Sequence, residues 1–278
     1  MSAIEHILVL ADRSTDVQAA LRKASVLARH IGARITLHTC DTEHAWAIDR
    51  DDREARDTLA RCMVDSRRYL DALRSTVAAQ DIEINLSATC ARSLQDGLTE
   101  QVLHHHPDLV IKTLAATGEL TQRTPHPLEM QLLKCCAVPL LVTRGRAWRP
   151  DVRVAAAIDI SGGDLSLADE VVQSAARFVK DLNGQLTVVH AAEDPSFSSS
   201  FESLQVLTGS PIAALGDYVS TAQVDVLVIG GPQGSSWQGS EPSLTETLLG
   251  AIDCDVLVVP RTRLSRRQAA MDSTLHLA

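Results

Sequence analysis

The segments ILVLAD at residues 7–12 and VAAAID at residues 154–159 share one design: five apolar residues closed by an aspartate. Continuous rather than alternating apolarity marks a strand buried on both faces of a parallel sheet. Behind each strand the apolar residues take up a helical period. The first stripe is Val17, Ala20, Leu21, Ala24, Leu27, Ala28 and Ile31; the second is Ala168, Val171, Val172, Ala175, Val179 and Leu182. A glycine stands near the end of each, Gly32 and Gly184, where a left-handed cap is expected. Further buried-type strands follow at 35–39 and 186–190, then at 108–111 and 225–229, and finally at 140–142 and 256–259. The chain is an internal repeat.

Each repeat reads β-α-β-α-β-α-β-α-β. The first has a long second helix near residues 53–79, with the stripe Leu59, Met63, Leu70, Leu73 and Val77, and a third strand at 82–88. The second is abbreviated, because only AAEDPSFSSSFES separates His190 from the apolar run 204–207. Right-handed crossovers make each repeat a doubly wound parallel α/β sheet, with ligand space at the carboxyl ends of its strands. The expected domains are residues 1–144 and 152–260, joined by a linker at 145–151, with 261–278 as a flexible tail. Arg261, Arg263, Arg266 and Arg267 in that tail are expected to be solvated.

Of the 278 residues 45% are apolar and 22% charged, which is ordinary globular composition. Aromatics at 3% are too few to build stacking platforms for single-stranded nucleic acid. No apolar run approaches the roughly 20 residues that cross a bilayer. The amino terminus has neither the basic flank nor the apolar length of a signal peptide, so the expected location is the cytoplasm. The net charge of −9 is unevenly spread. Residues 1–150 balance 19 basic against 19 acidic side chains, whereas 151–278 hold 7 against 16. Such a surface repels nucleic acid. Neither nucleic acid nor a membrane is an expected partner.

Cys40, Cys62, Cys90, Cys135, Cys136 and Cys254 form no CxxC and no regular spacing, so reduced thiols are expected. Cys135-Cys136 is read as a pair of ordinary thiols rather than a redox switch. His104-His105-His106 point in different directions on a helix and cannot converge on one ion. They read as a helix end before Pro107, with imidazoles near the negative pole. No metal site is expected. Walker A, GxSxG and HExxH patterns are absent. Ser161-Gly162-Gly163-Asp164-Leu165-Ser166 nearly matches the SGGxDS pyrophosphate loop of ATP pyrophosphatases and amide ligases. Leu165 stands where that motif has Asp, and a flexible helix entry capped by Ser161 or Asp164 is the plainer reading.

Several features together resemble the universal stress protein family in its tandem two-domain form. They are Asp12 and Asp159 at the strand ends, Gly209-Ser210-Pro211, DVLVIGGPQG at 225–234, and Thr245-Glu246-Thr247 followed by the run from Cys254 to Val259. Asp108 to Lys112, Thr124-Pro125 and Leu132 to Cys135 resemble the long tandem class of Gram-negative bacteria. The resemblance implies five-stranded parallel sheets of order 3-2-1-4-5 and a stress-response module without catalysis. It also implies an adenine nucleotide, ATP or AMP, held in the second repeat by a G-x2-G-x9-G-(S/T) loop, with Mg²⁺ only alongside ATP. Carried onto this sequence, the site residues are Asp159, His190, Ala191, Gly231, Gly234, Ser235 and Ser243. Pro242 stands where the last glycine belongs and the spacer is two residues short, so one amide donor is lost. Asp12 and Asp159 serve equally well as caps of the helices that follow. In the first repeat Lys112 is expected at the first glycine position, and no phosphate loop is expected there. The alternative is a ligand-free or apolar-ligand interaction module. Family members dimerise through the fifth strand, so 140–142 and 256–259 are expected to pair within the chain as a pseudo-dimer, with a homodimer as a further step.

Overall fold

A computed structural model describes residues 4–15, 18–77, 81–114, 127–160, 165–193, 204–232 and 243–261, the side chains of 127–130 excepted. The described residues fall into two compact units. The first runs to Thr113 and adds Cys135–Val138; the second takes up the rest, including the fifth strand of the first repeat.

In the first unit, strand β1 (His6–Leu10) is followed by helix α1 (Ala19–Ile31), β2 (Arg34–Asp41), α2 (Arg53–Thr76), β3 (Ile84–Cys90), α3 (Leu94–His105) and β4 (Leu109–Thr113). The strands lie in the order β3-β2-β1-β4, all parallel. Every residue of β1 and β4 is buried, the apolar runs 7–10 and 109–111 together with the polar His6, Lys112 and Thr113 at their ends. Ala20, Leu21, Ala24, Leu27 and Ala28 of α1 form the stripe that covers the sheet. A fully buried leucine such as Leu27 or Leu37 contributes about 1.5–3 kcal/mol.

Helix α4 (Pro127–Cys135) leads to β5 (Leu140–Thr143). In the second unit β5 is followed by β6 (Arg153–Ala157), α5 (Leu165–Leu182), β7 (Gln185–Ala192), β8 (Leu204–Thr208), α6 (Pro211–Thr221), β9 (Val226–Gly230), α7 (Leu244–Ala251) and β10 (Asp255–Val259). Its sheet runs β5-β10-β9-β6-β7-β8. The five strands of the second repeat thus take the order 3-2-1-4-5 and are parallel. β5 joins antiparallel to β10, with Val142 opposite Val256 and Leu140 opposite Val258. Those apolar edges are covered by each other instead of lying open.

Several sequence expectations need correction. Gly184 is not the left-handed residue at the end of α5; Asn183 is, at φ 52°. Gly184 is required for close approach, since a Cβ there would sit 2.4 Å from the Val152 carbonyl oxygen. Gly32 does adopt the left-handed conformation, at φ 71°. Asp12 caps no helix. The N-cap of α1 is Gln18, and the Asp12 carboxylate accepts hydrogen bonds from Ser14 and Lys112. The segment 145–151 is no free linker. Trp148 donates to Asp255 at 2.7 Å and packs edge-on against Phe178, while Arg146 faces the buried Asp225 at 3.3 Å. A burial of that kind fixes a connection that composition alone marks as loose.

Candidate functional site

A cavity of about 500 Å³ opens at the carboxyl ends of β6, β7 and β9, where a doubly wound sheet leaves room for a ligand. Its walls are aliphatic: Leu167, Val171, Leu215 and Leu248 among others. Asp159, His190, Ala191, Gly231 and Ser243 all line it. Gly234 and Ser235 lie outside the described residues, as do Pro242 and the residues 161–164 of the SGGxDS-like stretch.

The polar groups have distinct duties. Asp159 is exposed at the end of β6. His190 is buried, and its Nδ1 lies 3.0 Å from the Ile158 carbonyl. A carbonyl only accepts, so Nδ1 carries the hydrogen. Ser243 is the N-cap of α7 and forms a capping box with Glu246: the serine hydroxyl accepts from the Glu246 N–H, and the glutamate accepts from the Ser243 N–H at 2.6 Å. The second oxygen of Glu246, which no hydrogen bond reaches, faces the Lys134 ammonium at 3.4 Å. The positive end of α7 therefore already holds a carboxylate.

Gly231 serves the sheet as well as the cavity. Its N–H donates to the Val259 carbonyl at 2.7 Å, so this amide is engaged before any anion arrives. A Cβ at Gly231 would stand 3.2 Å from the same Val259 oxygen. A valine there would press on β10 rather than into the cavity. Sequence reasoning set Arg261 aside as part of a solvated tail, yet it lines the cavity and its Nε donates to the Gly231 carbonyl at 3.1 Å. Among the described lining residues it is the one lysine or arginine. The signal was present: β10 runs parallel to β9 with Val259 opposite Gly230, which carries position 261 to the end of β9.

The first repeat treats the same position differently. Pairing with β1 and β6 matches Leu109 to Val226 and Lys112 to Ile229. Leu114, not Lys112, stands in the place of Gly231, and its N–H likewise donates to a fifth strand, at Thr143. Lys112 instead occupies a position that lines the cavity in the second repeat. Its ammonium contacts Asp12 at 2.9 Å and the Thr113 carbonyl at 3.1 Å. Burial pushes the Asp12 carboxyl up, but the Lys112 charge and the hydrogen bonds from Ser14 outweigh it and hold the group below its usual range. Tyr69 and Gln18 donate to the Asp12 carbonyl and close the space further. The aspartate that lines the cavity of the second repeat has its counterpart here neutralised by the protein itself.

No protein-family profile matches the chain. In sequence it is similar to a universal stress protein E homolog of Haemophilus influenzae, at 24% identity over 195 residues. That match spans 64% of this chain and 61% of the relative. In fold it is similar to the crystal structure of a universal stress protein from Archaeoglobus fulgidus, with a TM-score of 0.73, 14% identity, and coverage of 92% of this chain and 98% of that one. A putative universal stress protein from Pseudomonas aeruginosa gives a TM-score of 0.68 at 20% identity, covering 99% of both chains. Among the described residues no helix is long and apolar enough to cross a membrane. With the strand order, the repeat and both kinds of similarity in hand, this chain has the fold of the universal stress proteins and is similar to one of them in sequence.

Proposed function

We propose that the second repeat binds an adenine nucleotide, ATP or AMP, and retains it without catalysis, as a stress-response module whose partner affinity follows the bound nucleotide. The observation that carries this reading is the cavity at the carboxyl ends of β6, β7 and β9, lined jointly by Asp159, His190, Ala191, Gly231, Ser243 and Arg261. Asp159 offers acceptors to ribose hydroxyls, and the end of β7 offers a flat apolar wall to a base. Arg261 supplies the charge that the engaged amides of Gly231 and Ser243 do not. Mg²⁺, if it accompanies ATP, would be held by the phosphates themselves, since Asp159 is the single carboxylate among the described lining residues.

A second reading has its own support. The aliphatic lining and the two engaged amides favour an uncharged or apolar ligand in the same space. Calorimetric titration of the full chain with ATP, AMP and adenosine separates the two. The nucleotide reading expects saturable binding that Arg261→Gln weakens about tenfold for ATP, in keeping with one lost charge-assisted contact, while adenosine is unaffected. Asp159→Ala should weaken all three. Both side chains are exposed, so neither change threatens the fold. Absence of binding by all three ligands, or equal affinity in both variants, overturns the nucleotide reading.

A further inference from the structure

The first repeat gathers metal-binding side chains at a place that plays no part in the cavity of the second. Asp41 ends β2, His44 opens the 3-10 turn Ala45–Ala47, and Cys62 lies on the buried face of α2. One donor atom from each lies within 4.8 Å of the others. The His44 Nδ1 stands 3.1 and 3.2 Å from the two oxygens of Asp41. The Cys62 thiol donates to the same carboxylate.

We propose that Asp41, His44 and Cys62 form a binding site for a thiophilic divalent cation, which the donor set identifies as zinc. Nitrogen and oxygen ligands about 2.0–2.1 Å from a tetrahedral zinc sit about 3.3–3.4 Å from each other, and a thiolate at about 2.3 Å lies slightly farther from both. The Asp41–His44 spacing already matches that edge, and the sulfur needs only a small inward movement. One thiolate, one imidazole and one carboxylate suit zinc, whereas magnesium and calcium take all-oxygen sets.

The supports of the site are ordinary structure. The Asp41 carboxylate also accepts the His44 N–H at 2.9 Å, which fixes the turn that presents the imidazole. Cys62 belongs to the same buried stripe of α2 as Ala55, Ser66 and Leu70, so packing orients its sulfur. Cys90, the register partner of Asp41 on β3, brings a second thiol within electrostatic reach. The side chain of His44 is 40% exposed and that of Asp41 18%, which leaves a path for the ion. Without metal, burial and the neighbouring carboxylate push the Cys62 thiol up to about 12. Binding forms the sulfur–zinc bond as the thiol proton passes to solvent, and the hydrogen that His44 Nδ1 donates to Asp41 passes through solvent to Nε2 or is lost, which frees the Nδ1 lone pair for zinc. No oxidation or reduction occurs. The sequence hid this site because its donors sit at irregular spacing on two elements and the turn between them.

The test uses the reduced full chain, stripped with a chelator and desalted, titrated with Zn²⁺ against a chromophoric competitor and separately with Co²⁺. The expected result is one tight equivalent of Zn²⁺, with Co²⁺ giving the visible bands of a four-coordinate site and a thiolate-to-cobalt charge-transfer band. Cys62→Ser should abolish the charge-transfer band. His44→Ala should weaken Zn²⁺ by at least about a hundredfold, the upper end of what even indirect metal partners contribute. His44 is half-exposed, so that variant remains decisive should Cys62→Ser fail to fold. Cys135→Ser should leave both signals intact. Absence of stoichiometric binding, or a site that survives His44→Ala and instead follows the run His104 to His106, overturns the proposal.

Discussion

Replacing Lys112 by Met leaves the Asp12 carboxylate inside the first repeat without its counter-charge. The side chains are 6% and 16% exposed, so solvent screens the pair weakly. Removing one partner of a buried ion pair costs about 3–5 kcal/mol. Asp12 keeps its two hydrogen bonds from Ser14, which places the expected cost near the lower end, about 3 kcal/mol. For a domain of this size that lowers the melting temperature by roughly 6–12 °C. Asp12→Asn alone should also be destabilising, because it removes the anion that faces the buried ammonium. The double variant Asp12→Asn, Lys112→Met removes both charges and should regain much of the loss. Urea unfolding of the four proteins at pH 7 closes the cycle. The sign with pH is also fixed. In the parent, the depressed Asp12 pKa adds stability above the unfolded value, and this is lost as pH falls through the folded one. In Lys112→Met the carboxyl loses the lysine's downward pull and is protonated more readily, so acidification relieves the unpaired charge. The gap between parent and variant must therefore narrow toward acid. A Lys112→Met protein within about 0.5 kcal/mol of the parent, the range of ordinary surface changes, or simple additivity in the double variant, refutes the argument that Lys112 fills the first site.

Burial holds His38 down at about 4, well below its ordinary 6.5. As pH falls from 6.5 to 4 the unfolded chain takes the proton first, so up to about 3 kcal/mol drains away and then levels off; a His38→Gln protein whose acid profile matches the parent's would contradict this. Gly184→Ala, with its Cβ driven against the Val152 carbonyl, should be destabilising by about 1–3 kcal/mol in chemical denaturation, as overpacking generally is; an unchanged midpoint would show that the close approach is soft. Hydrolysis of ATP is expected to be negligible, because Arg261 alone among the described lining residues can offset developing phosphoryl charge. Single-turnover incubation with γ-labelled ATP and Mg²⁺ checks it, and phosphate release on the order of 1 s⁻¹ would reverse that expectation.

Two repeats, the parallel strands and the family resemblance were legible in the sequence because each follows from local pattern. A strand buried on both faces needs a continuous apolar run, and β1, β4, β9 and β10 each carry one, at 7–10, 109–111, 226–229 and 256–259. Order 3-2-1-4-5 came through the resemblance rather than through periodicity, and the second repeat displays it in full. What pattern could not reach were contacts set by register and by side-chain direction. Only the β4–β1 pairing shows that Leu114 matches Gly231 and that Lys112 points its charge at Asp12. Only the β9–β10 pairing carries Arg261 out of an apparent tail and into the cavity wall. Asp41, His44 and Cys62 meet for the same reason: a helix returning over its sheet brings together residues that have no common period along the chain. Local periodicity fixes which face of an element is buried, whereas the donors that a site assembles depend on distances between elements, and those exist only after the chain has packed.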